Sequence, residues 1–341
     1  MEDITEDEAA LYDRQIRLWG LDAQRRLRAA TVLIIGLKGL GAEVAKNIIL
    51  SGVKAVTLMD HNPVDEEDRM SQFFVSGAAI GQNRAEASAP QAQLLNPMVT
   101  VTTDTGNPDE KDENYFTQFD VICATCCPPS LQTKLDKLCF QHNIKFFSGD
   151  VFGFYGFTFT DLGTHDYLHE EVKKAPAKGK EENKSKEDEE KSKASEEVVI
   201  TKEQMVFGRL EDALTFDWSA DTPEMKRKIR QTPTSFFITK VYEEFLQQHG
   251  RRPSTFTLEA DTKELQNLRI QVLNKLGVPA KVVPEDFYLY GFGELSPVCA
   301  IVGGVLGQEI ITAVSQKGAP LNNFFLYNGV NDEAMVDTIV P

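Results

Sequence analysis

Three groups of residues in this 341-residue chain have the types and spacing to do chemistry. The first is Gly36-Leu-Lys-Gly-Leu-Gly41, followed by Asp60 at the tip of the next predicted strand. A glycine turn that opens a helix offers phosphates backbone N–H groups and the positive end of the helix dipole, and an acid about 20 residues further on grips a ribose hydroxyl. Lys38 breaks this pattern, because a backbone that approaches a pyrophosphate leaves no room for a Cβ. On these residues alone the stretch reads equally as a nucleotide pocket that has lost one requirement or as a plain βαβ scaffold. The second group is five cysteines, Cys123, Cys126, Cys127, Cys139 and Cys299. They show neither paired metal spacing nor a secreted disulfide framework, and they sit in buried patterns or before Pro128-Pro129, so they read as reduced, inert thiols rather than an exposed nucleophile near cations. The third is Arg14 and Arg17 on the polar side of the first predicted helix, where the ordinary reading is a solvated charged face.

The elements that position these residues follow from periodicity. Thr31–Ile35 is a continuous β-branched apolar run, as in a parallel strand buried on both faces; with a helix over 42–50 and a second strand over 55–59 it makes one βαβ unit. Ahead of it, Glu6–Trp19 reads as one helix, with Leu11, Gln15 and Leu18 on one stripe, Tyr12, Ile16 and Trp19 on the next, and Gly20 as its stop. The loop from His61 to Phe74 falls at the carboxyl edge of the sheet, where open α/β folds bind ligands, and Gly81–Ala85 opens a helix that runs to Leu95. Strands over 99–102 and 120–125, a helix over 131–142, and strands over 144–147 and 152–160 continue the sheet, the last one antiparallel. The fold class predicted is therefore α/β, doubly wound and Rossmann-like, with a mostly parallel sheet.

Four parts are expected: 1–165, the N-terminal helices and Rossmann-like half; 166–198, a linker; 199–285, a mostly helical insert; and 286–341, the return to the α/β unit. Glu170–Glu197 is rich in lysine and glutamate and lacks aromatics, so it is predicted to be a disordered tether. In the insert, Leu265, Leu268, Val272 and Leu276 form a helical stripe between Asp261, read as an N-cap with Glu264 three residues on, and Gly277 as C-cap. Ser296-Pro297 starts a helix that is apolar almost all round, whose Gly303, Gly304 and Gly307 imply close backbone packing against the sheet or a partner. A β-hairpin over 324–340 ends the chain.

The formal charge of −16, from 36 basic and 52 acidic residues, repels nucleic acid and anionic membrane, so the expected partners are proteins or small molecules. The acidic start, Met1-Glu-Asp-Ile-Thr-Glu-Asp-Glu8, is the opposite of a signal peptide, and no apolar run is expected to span a bilayer; the cytosol or nucleus is the predicted compartment.

Four motifs carry a resemblance over nearly the whole chain: Tyr12-Asp-Arg-Gln-Ile-Arg-Leu-Trp-Gly20, Gly36-Leu-Lys-Gly-Leu-Gly-Ala-Glu43, Lys145-Phe-Phe-Ser-Gly-Asp-Val-Phe-Gly153 and Pro297-Val-Cys-Ala-Ile-Val-Gly-Gly-Val-Leu-Gly-Gln-Glu309. Together they resemble the smaller subunits of SUMO-activating enzymes, in the ubiquitin-activating superfamily. The resemblance implies an obligate heterodimer of two pseudo-symmetric adenylation domains in the nucleus, with a cytosolic pool. Its larger subunit binds ATP and Mg²⁺, adenylates the C-terminus of SUMO and takes it as a thioester on its own cysteine. It also implies that Arg14 reaches in trans to the ATP phosphates of the partner's site. Active halves continue past Asp60 with a second acid and an Asn-x-Asn-Arg-Gln box; here Asn62 and Asp68-Arg-Met-Ser-Gln72 stand instead, with only Arg84 left as a cation and Cys127 in place of the metal-holding acid. The pocket of Gly36, Lys38, Gly39, Gly41, Asp60 and Arg84 is therefore expected to be vestigial, with no nucleotide or metal bound by this chain. Two rivals are a self-sufficient homodimeric adenylating enzyme of the sulfur-carrier-activating type, which needs an intact metal acid and phosphate arginine, and a nicotinamide-dependent oxidoreductase, which Lys38 disfavours.

Overall fold

A computed structural model describes residues 5–174 and 196–339. Its first half alternates helix and strand. Helices α1 (Glu6–Leu11), α2 (Asp13–Trp19) and α3 (Leu21–Ala29) lead into β1 (Thr31–Ile35), α4 (Gly39–Ser51), β2 (Ala55–Met59), α5 (Arg84–Leu95) and β3 (Thr100–Asp104). A short α6 (Glu113–Phe116), β4 (Val121–Thr125), α7 (Pro129–His142), β5 (Lys145–Phe152) and β6 (Tyr155–Asp161) follow. One eight-stranded sheet results, in the order β10-β9-β6-β5-β4-β1-β2-β3, where β9 is Phe324–Asn328 and β10 is Glu333–Asp337. The β5-β4-β1-β2-β3 half is parallel and the β10-β9-β6 edge antiparallel, as the sequence predicts. Strands β1 and β4 have almost no exposed side chain, which is why their sequences are unbroken apolar runs. Because β1 has β2 on one side and β4 on the other, connections leave it in opposite directions, and a crevice opens beyond the carboxyl ends of β1 and β4.

Two corrections concern the elements ahead of and beyond this core. The single N-terminal helix is split at Tyr12, whose backbone leaves the helical region (φ −97°, ψ 13°) so that its ring can pack under Gly52 and its hydroxyl accept from Asn96 Nδ2 at 2.9 Å. The linker expected over 166–198 is a β-ribbon at both ends: β7 (Thr164–Lys174) pairs antiparallel with β8 (Glu196–Val206), from Thr164 opposite Val206 to Lys174 opposite Glu196. Polar cross-strand pairs replace the apolar periodicity that composition lacked: Tyr167 donates to Glu203 at 2.8 Å, and Asp166 faces both Gln204 and Lys202. The middle of the expected tether, 175–195, lies outside the described residues, and the insert's helices begin only after β8.

Those helices are α8 (Leu210–Leu214), α9 (Pro223–Gln231), α10 (Thr234–His249) and α11 (Leu258–Leu276). They share one core with the sheet face formed by β5 and β6: Phe236, Phe237, Val241, Tyr242 and Leu268 are buried in the same cluster as Phe152, Phe157 and Phe159. Asp261 is not an N-cap. The helix starts at Leu258, and Asp261 sits one turn in, accepting from Ser254 N–H at 2.9 Å and the Thr257 hydroxyl at 2.6 Å and pairing with Arg251, so it ties down the preceding loop. Gly277 does close the helix in the left-handed conformation.

On the opposite face, α12 (Ser296–Ser315) lies along α4. A Cβ on Gly303 would meet Glu43 Cβ at 2.6 Å and one on Gly307 would meet Asn47 Cβ at 2.8 Å, so both glycines let α12 approach α4; Gly304 faces open space. Contrary to the sequence expectation, α12 is long and apolar enough to cross a membrane by length and composition. Here α3, α4, β5 and β6 pack around it, and burial among them accounts for its apolar character.

Candidate functional site

The crevice beyond β1 and β4 holds a cavity of about 550 Å³ lined by Gly36, Lys38, Asp60, Arg84, Thr125, Cys126 and Cys127, and on its far wall by Leu246, Arg251 and Arg252 from the insert. Four of the six residues expected to form a pocket, Gly36, Lys38, Asp60 and Arg84, therefore line one cavity, with Gly39 and Gly41 at the adjoining start of α4. The glycines have local reasons to be glycine. Gly36 has φ +84°, and a Cβ on it would sit on the Thr125 carbonyl, where the Thr125 hydroxyl donates to Ile35 and Gly36 oxygens at 3.1 and 2.8 Å. A Cβ on Gly39 would meet Ser71 and lie 2.8 Å from Glu294 Oε2.

Every charge that a phosphate or ribose needs is already engaged. Asp60 Oδ2 accepts from Leu37 N–H at 2.9 Å and from Arg84 Nη1 at 2.8 Å, and its Oδ1 accepts from Asn62 N–H at 2.9 Å. Arg84, buried, also donates from Nε to Asp68 at 2.9 Å and from Nη2 to the Pro63 carbonyl at 3.0 Å. Burial works against its charge, but Asp60 and Asp68 outweigh it and hold its pKa above the ordinary arginine value. Lys38, whose Cβ breaks the fingerprint, folds back to Asp65 at 3.0 Å and Asp68 at 3.1 Å. Burial again opposes the charge, and Asp68 and Asp65 keep the ammonium's pKa raised. Ser71 and Gln72 brace the turn: Gln72 Nε2 donates to the Leu37 carbonyl at 2.7 Å, and the Ser71 hydroxyl donates to Glu294 at 3.1 Å.

Sequence reasoning missed the residues that close this end of the cavity. Glu294, just before α12, accepts from Gly39 N–H at 2.6 Å. Arg252 pairs with Asp150 at the end of β5 and reaches Glu294 at 3.4 Å. Cys126, Asp150 and Glu294 offer three donor atoms within 4.8 Å of one another, from segments with no metal-ligand spacing. Arg252 lies against both carboxylates, so a divalent cation at this point would face a guanidinium, and the donor set does not fit one. Only fold proximity unites these residues. Asp150 lies within one of the four motifs, but nothing in its neighbours reports a partner 102 positions away.

The remaining candidates lie elsewhere. Cys123, Cys127, Cys139 and Cys299 are buried and Cys126 partly so, and burial pushes all five thiols up, away from the thiolate that attacks carbonyls. Arg14 is exposed on α2, is not among the residues that line this cavity, and has no hydrogen bond or ion pair among the described residues, whereas Arg17 pairs with Asp13 at 3.0 Å. The helix beneath is anchored by Tyr12, by Gln15 Nε2 donating to the Leu50 carbonyl at 3.1 Å, and by Trp19 Nε1 donating to Gln24 at 3.1 Å. Leu11 and Leu18, which share one stripe of the predicted helix, are exposed.

A family model described as the ThiF family matches residues 12–339. The SUMO-activating enzyme subunit 1 of Xenopus laevis is 47% identical over 341 residues, spanning 98% of this chain and 97% of that protein; its Homo sapiens counterpart is 46% identical over 343 residues, spanning 99% and 97%. This chain belongs to the SUMO-activating enzyme subunit 1 family. It is thus a subunit of a ubiquitin-like-protein activating enzyme, and its family name implies a second subunit. At the level of fold, a solved structure of Escherichia coli MccB with succinimide superposes with a TM-score of 0.53 at 12% identity, covering 97% of this chain and 72% of that one.

Proposed function

We propose that this family member is the non-thioester-forming, regulatory half of a heterodimer. In this reading a larger partner binds ATP and Mg²⁺, adenylates the C-terminal carboxylate of SUMO and takes it as a thioester on a cysteine of its own. The nucleus, with a cytosolic pool, is the compartment that goes with it. One observation carries the assignment of the inactive half: in this chain Lys38 and Arg84 are held by Asp60, Asp65 and Asp68, and the first turn of α4 is held by Glu294. Attack of a carboxylate on an α-phosphate needs cations to offset crowded negative charge, and here the cations are spent on the protein's own acids. The raised thiols support the absence of a thioester-forming cysteine.

What this chain supplies instead is Arg14, an exposed guanidinium on an anchored helix. A planar fork suits phosphate oxygens, and an arginine given in trans makes the partner's site complete only on assembly. ATP–pyrophosphate exchange tests the reading: the purified chain is expected to show none, and exchange is expected once the larger subunit and SUMO are added. Exchange by this chain alone would establish the self-sufficient adenylating enzyme instead.

A further inference from the structure

We propose that Glu294 is a built-in anion that occupies the phosphate seat at the N-terminus of α4, so that this pocket is plugged rather than eroded. The proposal rests on the reading that the pocket does not use ATP and adds the device that keeps phosphate out. Helix α4 is 13 residues long, and its N-cap, Lys38, makes no side-chain cap. The first-turn N–H groups and the positive helix end therefore call for an acceptor. Glu294 supplies it from 255 positions along the chain: Oε2 accepts from Gly39 N–H at 2.6 Å and from the Ser71 hydroxyl at 3.1 Å, while Oε1 faces Arg252 Nη1 at 3.4 Å and Cys126 Sγ at 3.5 Å. A backbone amide, a hydroxyl and a guanidinium around one buried anion form the donor set that a phosphate would use.

The plug is held firmly. Gly153 N–H donates to the Gly293 carbonyl at 2.8 Å, Gly153 and Glu294 form a parallel bridge, and Phe154 N–H donates to the Tyr290 carbonyl at 2.8 Å, so the loop is stitched to the end of β5. Asp150 keeps Arg252 in place from the other side. Removing only the Glu294 carboxylate leaves Gly39 N–H, Ser71 and Arg252 converging on an opening that adjoins the 550 Å³ cavity.

The test uses the full chain with inorganic tripolyphosphate as probe, followed by calorimetry and by thermal shift. Glu294→Ala is expected to bind tripolyphosphate at least about tenfold more tightly than the wild type and to melt higher in its presence. Glu294→Gln, which keeps the shape and an acceptor for Gly39 N–H but loses the charge, is expected to gain less. Glu285→Gln, an equal charge change at an exposed position, is expected to gain nothing. The proposal is overturned if both Glu294 variants fold and neither gains binding over the wild type, or if Glu285→Gln gains as much. It is also overturned if neither folds even when refolded in tripolyphosphate, since a plug is dispensable once its seat is filled. Micromolar binding of ATP by the wild type would instead overturn the underlying reading of the pocket, so the two failures are distinguishable.

Discussion

At the scale of single residues, Arg14 and Asp136 make opposite kinds of prediction. Arg14 has no partner among the described residues, so its loss costs this chain nothing that the fold needs. Arg14→Ala is expected to slow SUMO adenylation by the heterodimer at least about tenfold with assembly intact, and Arg14→Lys to recover part of the rate, because an ammonium keeps the charge and loses the fork. Wild-type adenylation by a correctly assembled Arg14→Ala heterodimer would return α2 to an ordinary solvated face. Asp136 is buried against Asp161, with Leu210 N–H donating to it at 2.9 Å, Arg209 pairing with Asp161, and the Cys139 thiol nearby. Burial and the neighbouring carboxylate raise its pKa from 3.8 to about 8. A folded-state value above the unfolded one means that the contribution is fully present below the unfolded value and drains away as pH climbs to about 8. Asp136→Asn, which mimics the protonated acid, is expected to flatten that fall, so urea melts of the two proteins should diverge between pH 5 and 8 in the variant's favour. Parallel pH profiles would show that the pair does not titrate in this range. The same scale shows what sequence can and cannot report. Asp60 was legible because it falls at a fixed offset from a βαβ turn and Arg84 through the family resemblance, whereas Glu294, Asp150 and Arg252 meet only through the fold.

Elements were legible where burial on both sides imposes a one-sided vocabulary. Strands β1, β2 and β4 and helix α12 announce themselves as apolar runs, while β7 and β8 hide, because their pairing relies on polar cross-strand contacts that composition reads as disorder. Tyr12 hides for another reason: a break of one residue inside an amphipathic stretch leaves the periodicity intact. The α4–α12 contact gives the prediction at this scale. Gly303→Val is expected to destabilise by about 1–3 kcal/mol, since its side chain must displace Glu43, and Gly307→Val similarly against Asn47. Gly304→Ala is expected to stabilise the isolated chain by up to about 1 kcal/mol, because nothing lies within 4 Å and alanine is the better helix former. Thermal melts of the three variants check the ordering, and equal destabilisation by all three would mean that α12 does not seat on α4 through Gly303 and Gly307.

Over the whole molecule, the insert shares its core with the sheet, so its helices are expected to melt together with the α/β unit in a single transition, seen alike by near- and far-ultraviolet circular dichroism. Two separated transitions would show that the 199–285 part behaves as a module of its own. The segment 175–195, by contrast, is predicted from its composition alone to be replaceable. A short Gly/Ser connection between Lys174 and Glu196 is expected to leave melting temperature and complex activity nearly unchanged, and a shift of many degrees would show that the segment packs. Cutting further, into Glu170 or Val199, should cost stability, because those residues are paired in the ribbon.

The ribbon also defines a port. Lys174 and Glu196 are opposite one another at its end, so their backbones are separated by about the 5 Å of neighbouring strands. A guest domain whose own termini lie close together, such as a fluorescent reporter, can enter and leave the chain there without stretching either strand. Placed at that position it would be carried on the end of β7 and β8, strands that contribute no residue to the lining of the cavity beyond β1 and β4, and would give a handle for following assembly.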